Sequence, residues 1–230
     1  MPLIDLFFPP ICVGCARELP SDSSGLCGSC SATVPELEAP RCPHCAARLP
    51  AGILNRDCRT ALALHRFFAV APYRHPMVRA AIDAFKYESV ESLAVPLATL
   101  LKRSLETALP QARNPLLVPI PMHERRLRSR GFNQAALLAR VLGALLHLPE
   151  NEQILARSRD TDQQAKLPHA ARAENIRGAF TVIAEKKVDA SSTIILIDDV
   201  VTTGATMKEA AVTLHRAGAR EIWGTAVSYG

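Results

Sequence analysis

The amino-acid sequence predicts an α/β protein: an open parallel sheet with its helices, preceded by a small cysteine-rich domain. Two observations support this prediction. All seven cysteines lie between Cys12 and Cys58, where prolines and short turns are frequent and periodic structure is scarce. Beyond residue 66, apolar runs of strand length alternate with segments of helical periodicity, which is the pattern of an open α/β sheet. We therefore expect two domains, residues 1–66 and residues 67–230.

The bulk composition indicates a globular protein rather than a membrane protein. The chain has 230 residues, of which 48% are hydrophobic, and a formal net charge of +5. Its apolar runs are shorter than the roughly 18 residues that a membrane helix needs, so we expect no membrane insertion. The apolar N-terminus begins without Lys or Arg and contains Asp5, unlike a secretory signal peptide. We expect a soluble, cytoplasmic protein.

Six of the seven cysteines form three Cys-x-x-Cys pairs, which is the spacing of metal-binding knuckles. In a reducing cytosol such pairs are metal ligands more often than disulfides. The first two pairs are separated by eleven residues and together supply four thiolates, which suits a closed tetrahedral zinc site. We predict a structural zinc ion there, and the alternative is a set of buried or free thiols. The four predicted ligands are Cys12, Cys15, Cys27 and Cys30.

A second, incomplete site follows. Its candidate ligands are Cys42, Cys45 and Cys58. The last of these falls where a further knuckle would begin, but the position that would supply the fourth sulfur is Ala61. His44 or His65 is a candidate substitute, although His44 lies inside a knuckle. Two alternatives stay open: a repaired zinc site, or a degenerate ribbon that has lost its metal.

The second half of the sequence predicts helices that alternate with strands. Residues 77–109 have helical spacing, and Pro96 divides them into two helices because proline disrupts a helix interior. The segments that follow are a strand at 116–120, a helix within 131–148, a strand at 193–200, a helix at 205–219 and a strand at 221–229. The run before Asp198 is apolar throughout, as expected for a parallel strand that is buried on both faces.

Two adjacent carboxylates follow that apolar run, and a threonine-rich loop follows them. Asp198 and Asp199 precede Thr202 and Thr203, and Gly204 stands where the chain turns into the next helix. Free amides at a helix N-terminus bind phosphate, while carboxylates suit ribose hydroxyls or magnesium. Because adjacent strand residues face opposite ways, both aspartates can serve only if the strand ends there. The alternative is a strand that ends in two solvated aspartates and a threonine cap.

The segment IILIDDVVTTGAT resembles the phosphoribosyl-pyrophosphate (PRPP) motif of type I phosphoribosyltransferases. The resemblance implies that Asp198 and Asp199 hold the ribose hydroxyls of PRPP, which carries Mg²⁺. It also implies a loop that binds the 5-phosphate. The residues of that loop are Val201, Thr202, Thr203, Gly204, Ala205 and Thr206.

The resemblance extends over nearly the whole chain. The cysteine pairs, FKY, VPIPMHERRLRSRGFNQ and RDTDQQAKLPHAARAENIRGAF together resemble the ComF family. That family joins a double zinc ribbon to a phosphoribosyltransferase-like domain, and it is linked to DNA uptake in natural competence and to use of DNA as a nutrient. The resemblance implies a type I phosphoribosyltransferase-like open parallel sheet with an N-terminal zinc ribbon domain. Ala61 departs from the family's ribbon pattern.

The resemblance places a pyrophosphate loop at Met122 and His123, directly after the strand at 116–120. Four arginines follow, and cations there would stabilise the charge on a leaving pyrophosphate. They are Arg125, Arg126, Arg128 and Arg130. The alternative is a solvated basic face. Asn133 and Gln134 open the next helix and are candidates for its cap.

Residues 157–177 are polar and lack a strong period, which is typical of a long mobile loop. Type I phosphoribosyltransferases close a flexible loop over the reaction, so the resemblance assigns the basic residues of this segment to the pyrophosphate. They are Arg157, Arg159, Lys166 and Arg172. Between residues 113 and 177, eleven Lys and Arg stand against six Asp and Glu. Such a surface suits a polyanion, either pyrophosphate or single-stranded DNA.

Two functions of different classes follow. The first is an enzyme that transfers phosphoribose from PRPP, with magnesium, to an acceptor that the sequence does not identify. The second is a binding module that senses PRPP or a nucleotide while its basic surface and zinc ribbon contact single-stranded DNA or proteins of DNA uptake. Release of pyrophosphate distinguishes them, since a sensor binds PRPP without turnover. Base specificity in such folds comes from hood elements, which we expect within residues 77–87.

Overall fold

The computed structural model describes residues 10–20, 23–34, 40–160, 169–183 and 188–230; for residues 169–172 this covers the backbone alone. Within these ranges the helices are α1 (Gly28–Ala32), α2 (Arg56–Leu62), α3 (Pro76–Tyr87), α4 (Ala94–Glu106), α5 (Glu124–Arg130), α6 (Gln134–Leu146), α7 (His169–Ile176) and α8 (Ala205–Arg216). The strands are β1 (Arg66–Pro72), β2 (Leu116–Pro119), β3 (Leu155–Arg157), β4 (Phe180–Val182), β5 (Thr193–Val201) and β6 (Glu221–Tyr229). None of these helices is long and apolar enough to cross a bilayer.

Four strands form a parallel sheet in the order β1-β6-β5-β2. Ile194 of β5 lies opposite Ile222 of β6 at the centre of the sheet. Ile194 and Leu196 pack into the core on one face, while Ile195 and Ile197 pack into the core on the other. A strand whose side chains are apolar on both faces of the sheet must pack against other elements on both of those faces. The predicted α/β class with a parallel sheet is therefore confirmed, and it is consistent with a phosphoribosyltransferase-like fold.

Helices cover both faces of this sheet. On one face α3, α4 and α6 supply buried side chains such as Phe85, Leu97 and Leu138. On the other face α2 and α8 supply Leu62 and Leu214. Parallel strands bring their carboxyl ends to one edge of the sheet, where open α/β sheets bind ligands. The junction between β5 and α8 lies at that edge.

The two cysteine-rich segments share one local structure. Each begins with a tight turn, in which the amide of Cys12 donates to Arg17 and the amide of Cys42 donates to Ala47, both at 2.8 Å. Each then continues to a short helix, α1 or α2, that carries the last cysteine of its segment. We call the segment that ends with α1 the first ribbon and the segment that ends with α2 the second ribbon.

The two ribbons pack on opposite faces of the sheet. Cys12 and Cys30 of the first ribbon belong to the core that contains α3 and α4. Cys42 and Cys58 of the second ribbon belong to the core that contains α8. Because the ribbons share these cores with the sheet, a change in either ribbon can reach the elements that it covers.

The structure adds elements that the sequence pattern conceals. β1 lies in a short apolar run followed by YRHP, at the point where the composition of the chain changes. The arginine run forms α5. Its charged residues are distributed around the helix, so the sequence shows no helical period of apolar residues. The predicted division near Pro96 is confirmed, because α4 begins at Ala94. Pro96 then lies in the first turn, where a missing N–H costs nothing.

The expectation of a loop over residues 157–177 is wrong for the described part of that segment. Arg157 ends β3, which pairs antiparallel with β4 and places Leu155 opposite Val182. Residues 169–176 form α7, and residues 161–168 lie outside the described ranges. A three-residue strand and a polar helix contain too few apolar positions to produce a readable period.

Candidate functional site

The two predicted carboxylates lie inside β5 rather than beyond its end, because the strand continues to Val201. This corrects the expectation that both aspartates can serve only if the strand ends there, because Asp198 and Asp199 both line one cavity at this edge of the sheet. Asp199 is buried and forms an ion pair with Lys86 of α3, with Nζ and Oδ1 2.9 Å apart and the two side chains 11% and 16% exposed. Asp198 is half-buried, and its carboxylate accepts a 2.9 Å hydrogen bond from the amide of Asp199.

The environment of Asp198 favours the protonated form of its carboxyl. Burial, and then repulsion from Asp199, raise the pKa of Asp198 to about 8, although Lys86 acts in the opposite direction. Asp198 therefore holds a proton at neutral pH, while Lys86 balances the charge of Asp199 at contact distance. A cation placed beside Asp198 would favour its ionised form.

Residues 201–206, predicted to bind phosphate and called the phosphate loop below, lead from the end of β5 into the first turn of α8. Gly204 is the N-cap of α8 and has a φ of 74°, in the left-handed region that most side chains avoid. The first turn of a helix has backbone N–H groups without intrahelical partners, which give it a partial positive charge. Thr203 and Thr206 lie beside that turn, and the Thr203 hydroxyl accepts a 3.3 Å hydrogen bond from the Ala205 amide. This end of α8 is suited to bind an anion.

Two adjoining cavities open beside these residues. One, of about 130 Å³, is lined by the phosphate loop. The other, of about 190 Å³, is lined by Arg126, Arg130 and Arg157 among others. Lys86 and Asp198 border both cavities. We call the two cavities together the cleft. It has a phosphate-loop half and a basic half, with Asp198 between them and Asp199 in the basic half.

α5 divides the four predicted arginines into two pairs. Arg126 and Arg130 lie one turn apart and line the basic half of the cleft. Arg125 and Arg128 are exposed, and each has an acidic side chain within 3.4 Å of its guanidinium. The structure therefore brings half of the arginine run to the cleft and leaves the other half on the surface.

Two neighbours fix the position of Arg130. Its guanidinium donates a 2.9 Å hydrogen bond to Oε1 of Gln134 and lies 5.6 Å from the ring centre of Tyr87. Gln134 is buried, and the cap of α6 is Asn133, whose Oδ1 accepts from the Ala135 amide at 3.1 Å. The cap prediction is therefore confirmed for Asn133, while Gln134 orients an arginine of the cleft.

Among the described basic side chains of the predicted loop segment, Arg157 lies in the cleft, at the end of β3. Burial, and then repulsion from Arg126, lower the pKa of Arg157 to about 10, so it stays charged at neutral pH. Lys166 and the side chain of Arg172 lie outside the described residues.

The remaining predicted residues differ in their roles. Met122 lines the basic half of the cleft. His123 caps α5 instead, where its Nδ1 accepts a 3.3 Å hydrogen bond from the Arg125 amide. Arg159 donates at 2.8 Å to the carbonyl of Asn175 in α7, so it connects β3 to that helix rather than facing the cleft.

Lys86 is a cleft residue to which the sequence alone assigned no role. It lies four residues after Ile82, along the face of α3 that Val78, Ile82 and Phe85 bury in the core. A lysine that continues a buried stripe requires a partner of opposite charge, and this signal was present in the sequence. The partner, Asp199, is distant along the chain, and no local pattern identifies it.

The predicted ligands of the first ribbon converge. Four sulfur atoms lie within 4.8 Å of one another, and they belong to Cys12, Cys15, Cys27 and Cys30. Zinc–sulfur bonds of about 2.3 Å place tetrahedral sulfurs roughly 3.8 Å apart, so a small adjustment suffices to bind zinc. Four thiolates leave no open position on the ion, which fits a structural role.

Three sulfur atoms converge in the second ribbon. They belong to Cys42, Cys45 and Cys58. His65 is not available as a fourth ligand, because its Nδ1 accepts from the Ile222 amide at 3.2 Å and its Nε2 lies 3.6 Å from the Glu221 carboxylate. His44 lies outside the sulfur cluster in the described residues. Both proposed histidine substitutions are therefore wrong.

Comparison of the two ribbons identifies the position at which the second ribbon lacks a fourth cysteine. Cys27 is the N-cap of α1, and its sulfur accepts from the Cys30 amide at 3.4 Å. Asn55 is the N-cap of α2, and its Oδ1 accepts from the Cys58 amide at 2.8 Å. Cys58 therefore corresponds to Cys30, and Asn55 takes the place of Cys27. The expectation that Ala61 replaces the fourth thiolate is wrong.

The N-terminal segment matches a known family. Residues 3–59 match the model described as a double zinc ribbon domain. Together with the converging sulfur atoms, this match confirms the predicted N-terminal zinc ribbon and its structural zinc.

Relatives match most of the chain. Competence protein F of Haemophilus influenzae is 30% identical over 229 residues, which cover 96% of this chain and 98% of the relative. The DNA utilization protein YhgH of Escherichia coli is 32% identical over 167 residues, 69% of this chain and 70% of the relative. Competence protein ComFC of Bacillus subtilis is 29% identical over 170 residues, 71% of this chain and 66% of the relative.

Proposed function

Because the chain belongs to the ComF family, we propose that it binds PRPP in the cleft and acts in DNA uptake or in the use of DNA as a nutrient. Relatives named for competence and for DNA utilization support the cellular role. One observation supports PRPP as the ligand: Asp198 borders both the phosphate-loop half and the basic half of one cleft, and Asp199 lines the basic half beside it. PRPP has the matching order of 5-phosphate, ribose and pyrophosphate.

Each part of the ligand has a partner in the cleft. The N-terminus of α8 binds the 5-phosphate, and the two aspartates accept hydrogen bonds from the ribose hydroxyls. Arg126 and Arg130 face the pyrophosphate. The carboxylates also suit magnesium, which when bound with PRPP supplies positive charge beside the pyrophosphate. Lys86 balances Asp199 before the ligand arrives and lies close enough to both halves to contact it afterwards.

The same geometry suits transfer of phosphoribose. When the bond from ribose C1 to pyrophosphate breaks, negative charge grows on the leaving group, and fixed cations beside it lower the barrier. We propose Arg126 and Arg130 for this role. The test incubates the protein with PRPP, magnesium and a panel of bases while free pyrophosphate is measured. Pyrophosphate release with one acceptor supports a transferase, whereas tight PRPP binding without release identifies a sensor.

Affinity for PRPP is expected to rise with pH. The pKa of Asp198 is raised from 3.8 to about 8, so this carboxyl is neutral near pH 7 and ionises as the pH passes 8. A magnesium-bearing ligand favours the ionised form, so binding releases a proton, and affinity gains at most about tenfold per pH unit below the pKa. Calorimetric titration across this range measures the slope. In the Asp198→Asn variant, the slope of affinity against pH should fall to the part that comes from ionisation of PRPP itself. An unchanged slope would contradict this role of Asp198.

Single-stranded DNA is a second candidate ligand, because Arg125 and Arg128 present positive charge to solvent beside the cleft. Each neutralised phosphate releases a counterion, with a slope of about −0.7 per contact in a plot of log affinity against log salt. The double variant Arg125→Ala/Arg128→Ala is expected to flatten this slope by about 1.4 if both side chains contact phosphate. Fluorescence anisotropy of a labelled oligonucleotide across a salt series measures it.

The matched control for the DNA experiment is Arg126→Ala/Arg130→Ala. This variant should lose PRPP affinity, while the surface pair should retain it, because the two pairs point in different directions from α5. We expect PRPP to displace the oligonucleotide only partly. Absence of oligonucleotide binding at low salt would exclude the DNA-binding function and leave the small-molecule site.

A further inference from the structure

The phosphate loop rests on the second ribbon. A β-carbon added at Gly204 would lie 2.7 Å from Cδ2 of Leu62 and 3.4 Å from Cγ of Pro43. Gly204 thus packs its backbone directly against two side chains of the ribbon, and its left-handed φ and the lack of space both require glycine. The loop's position is therefore set partly by residues outside the sheet.

Both contact residues are adjacent to metal ligands. Pro43 lies inside the Cys42–Cys45 knuckle. Leu62 lies four residues after Cys58 in α2, so the two side chains share one face of that helix, and each is 2% exposed. An ion that joins Cys58 to the knuckle would fix Pro43 and Leu62 relative to each other. Those two side chains form the surface on which Gly204 rests.

A second contact connects the same helix to α8. The carbonyl of Ala63, which is the C-cap of α2, lies 3.1 Å from Nε2 of His215 near the end of α8. α2 therefore contacts the loop at the beginning of α8 through Leu62 and the last turn of α8 through Ala63. A rotation of α2 would move both ends of the element that presents the phosphate loop.

The first ribbon makes a different contact. A β-carbon added at Gly14 would lie 2.3 Å from Sδ and Cε of Met77, at the beginning of α3. The three atoms nearest to that β-carbon belong to Met77 and to Cys30 of the same ribbon, whereas those nearest to the β-carbon at Gly204 belong to the second ribbon. The two ribbons thus offer an internal comparison, in which one metal site lies under the loop and the other lies under a helix of the opposite face.

We propose that the metal ion of the second ribbon stabilises the phosphate loop in its binding conformation, and that its three-thiolate ligand set makes this support reversible. The proposal deepens the PRPP-binding function and rests on it for the identity of the ligand. Three thiolates suit a thiophilic ion such as Zn²⁺ and leave its fourth position open. That position is at Asn55, which is exposed, so the ion is accessible to a competing chelator.

The experiment compares two single-cysteine additions with the unaltered protein. Asn55→Cys completes the ligand set at the position that corresponds to Cys27 of the first ribbon. Ala61→Cys adds a thiol to the same helix away from the ligand positions and serves as the matched control. Each protein is treated with a graded concentration of chelator, and zinc content, hydrogen–deuterium exchange of the phosphate-loop amides and PRPP affinity are measured at each step.

The expected result is that the unaltered protein and Ala61→Cys lose one zinc ion before the other. With that loss, exchange of the loop amides accelerates and PRPP affinity falls by about 5- to 150-fold, the usual span of coupling between two sites. Asn55→Cys should keep both ions, slow exchange and full affinity at the same chelator concentration. Cys58→Ser should behave as the chelated protein does.

Two results would overturn the proposal: unchanged exchange of the loop amides after the second zinc ion is lost, or retention of zinc by Ala61→Cys but not by Asn55→Cys. Failure of the PRPP-binding function is a separate outcome. If the metal-loaded protein binds no PRPP, exchange of the loop amides still decides whether the ion supports the loop. Acceleration on chelation then supports that part of the proposal, and unchanged exchange overturns it.

Discussion

Replacement of Cys30 with serine is expected to abolish zinc binding in the first ribbon and to destabilise the protein severely. Cys30 is buried and belongs to both the ligand set and the core beneath α3 and α4. Zinc contributes on the order of 10 kcal/mol to the folding of isolated zinc fingers. The whole free energy of unfolding of a typical domain is about 5–15 kcal/mol. Loss of the ion therefore removes a stabilising free energy comparable with the whole free energy of unfolding.

Elemental analysis and urea unfolding of the purified, reduced protein measure this effect. The matched control is Ser29→Ala, since Ser29 is an exposed neighbour on the same helix and supplies no ligand. We expect the control to keep its zinc and its unfolding midpoint. A Cys30→Ser protein with native zinc content and native midpoint would show that the first ribbon does not depend on a metal ion.

Substitution of Asp199 with alanine is expected to weaken PRPP binding at least tenfold. A hydrogen bond between a charged group and a ligand contributes about 1.5–3 kcal/mol, and about 1.4 kcal/mol corresponds to a factor of ten in affinity. The substitution also leaves the ammonium of Lys86 without its carboxylate in a nearly buried position. Calorimetric titration of PRPP with magnesium measures the affinity, and far-ultraviolet circular dichroism monitors the fold.

The control for that substitution is Asp199→Asn, which keeps the shape of the side chain and removes its charge. We expect it to lose affinity as well, because the amide cannot match the carboxylate as an acceptor for ribose hydroxyls. Lys86→Met tests the other half of the pair and should raise the free-energy cost of the buried Asp199 carboxylate. PRPP affinity that is unchanged in both Asp199 variants would refute the ribose assignment.

Local patterns made part of this site predictable. The apolar run before Asp198, the threonines after it and Gly204 determine a strand, a loop and a helix N-terminus within one continuous stretch. Paired cysteines likewise identify a metal site, because spacing alone places two sulfurs on one turn. These features need no information about distant parts of the chain.

Long-range contacts could not be predicted in the same way. The pairing of Lys86 with Asp199 depends on how α3 packs beside β5, and the division of the arginines depends on α5 being helical. The role of Asn55 became visible only when the caps of α1 and α2 were compared, because the spacing of cysteines differs between the ribbons. Each of these facts rests on tertiary structure or on a repeat that the sequence conceals.

The most direct test of a cleft that binds PRPP is a calorimetric comparison of PRPP with ribose 5-phosphate, both with magnesium, on the unaltered protein and on Arg126→Ala/Arg130→Ala. Because the basic half of the cleft faces the pyrophosphate, the unaltered protein should bind PRPP at least about tenfold more tightly, which corresponds to one charged hydrogen bond. The double variant should lose that preference and keep its affinity for ribose 5-phosphate. Equal affinity of the unaltered protein for the two compounds, or no detectable binding of PRPP, would contradict the proposed site.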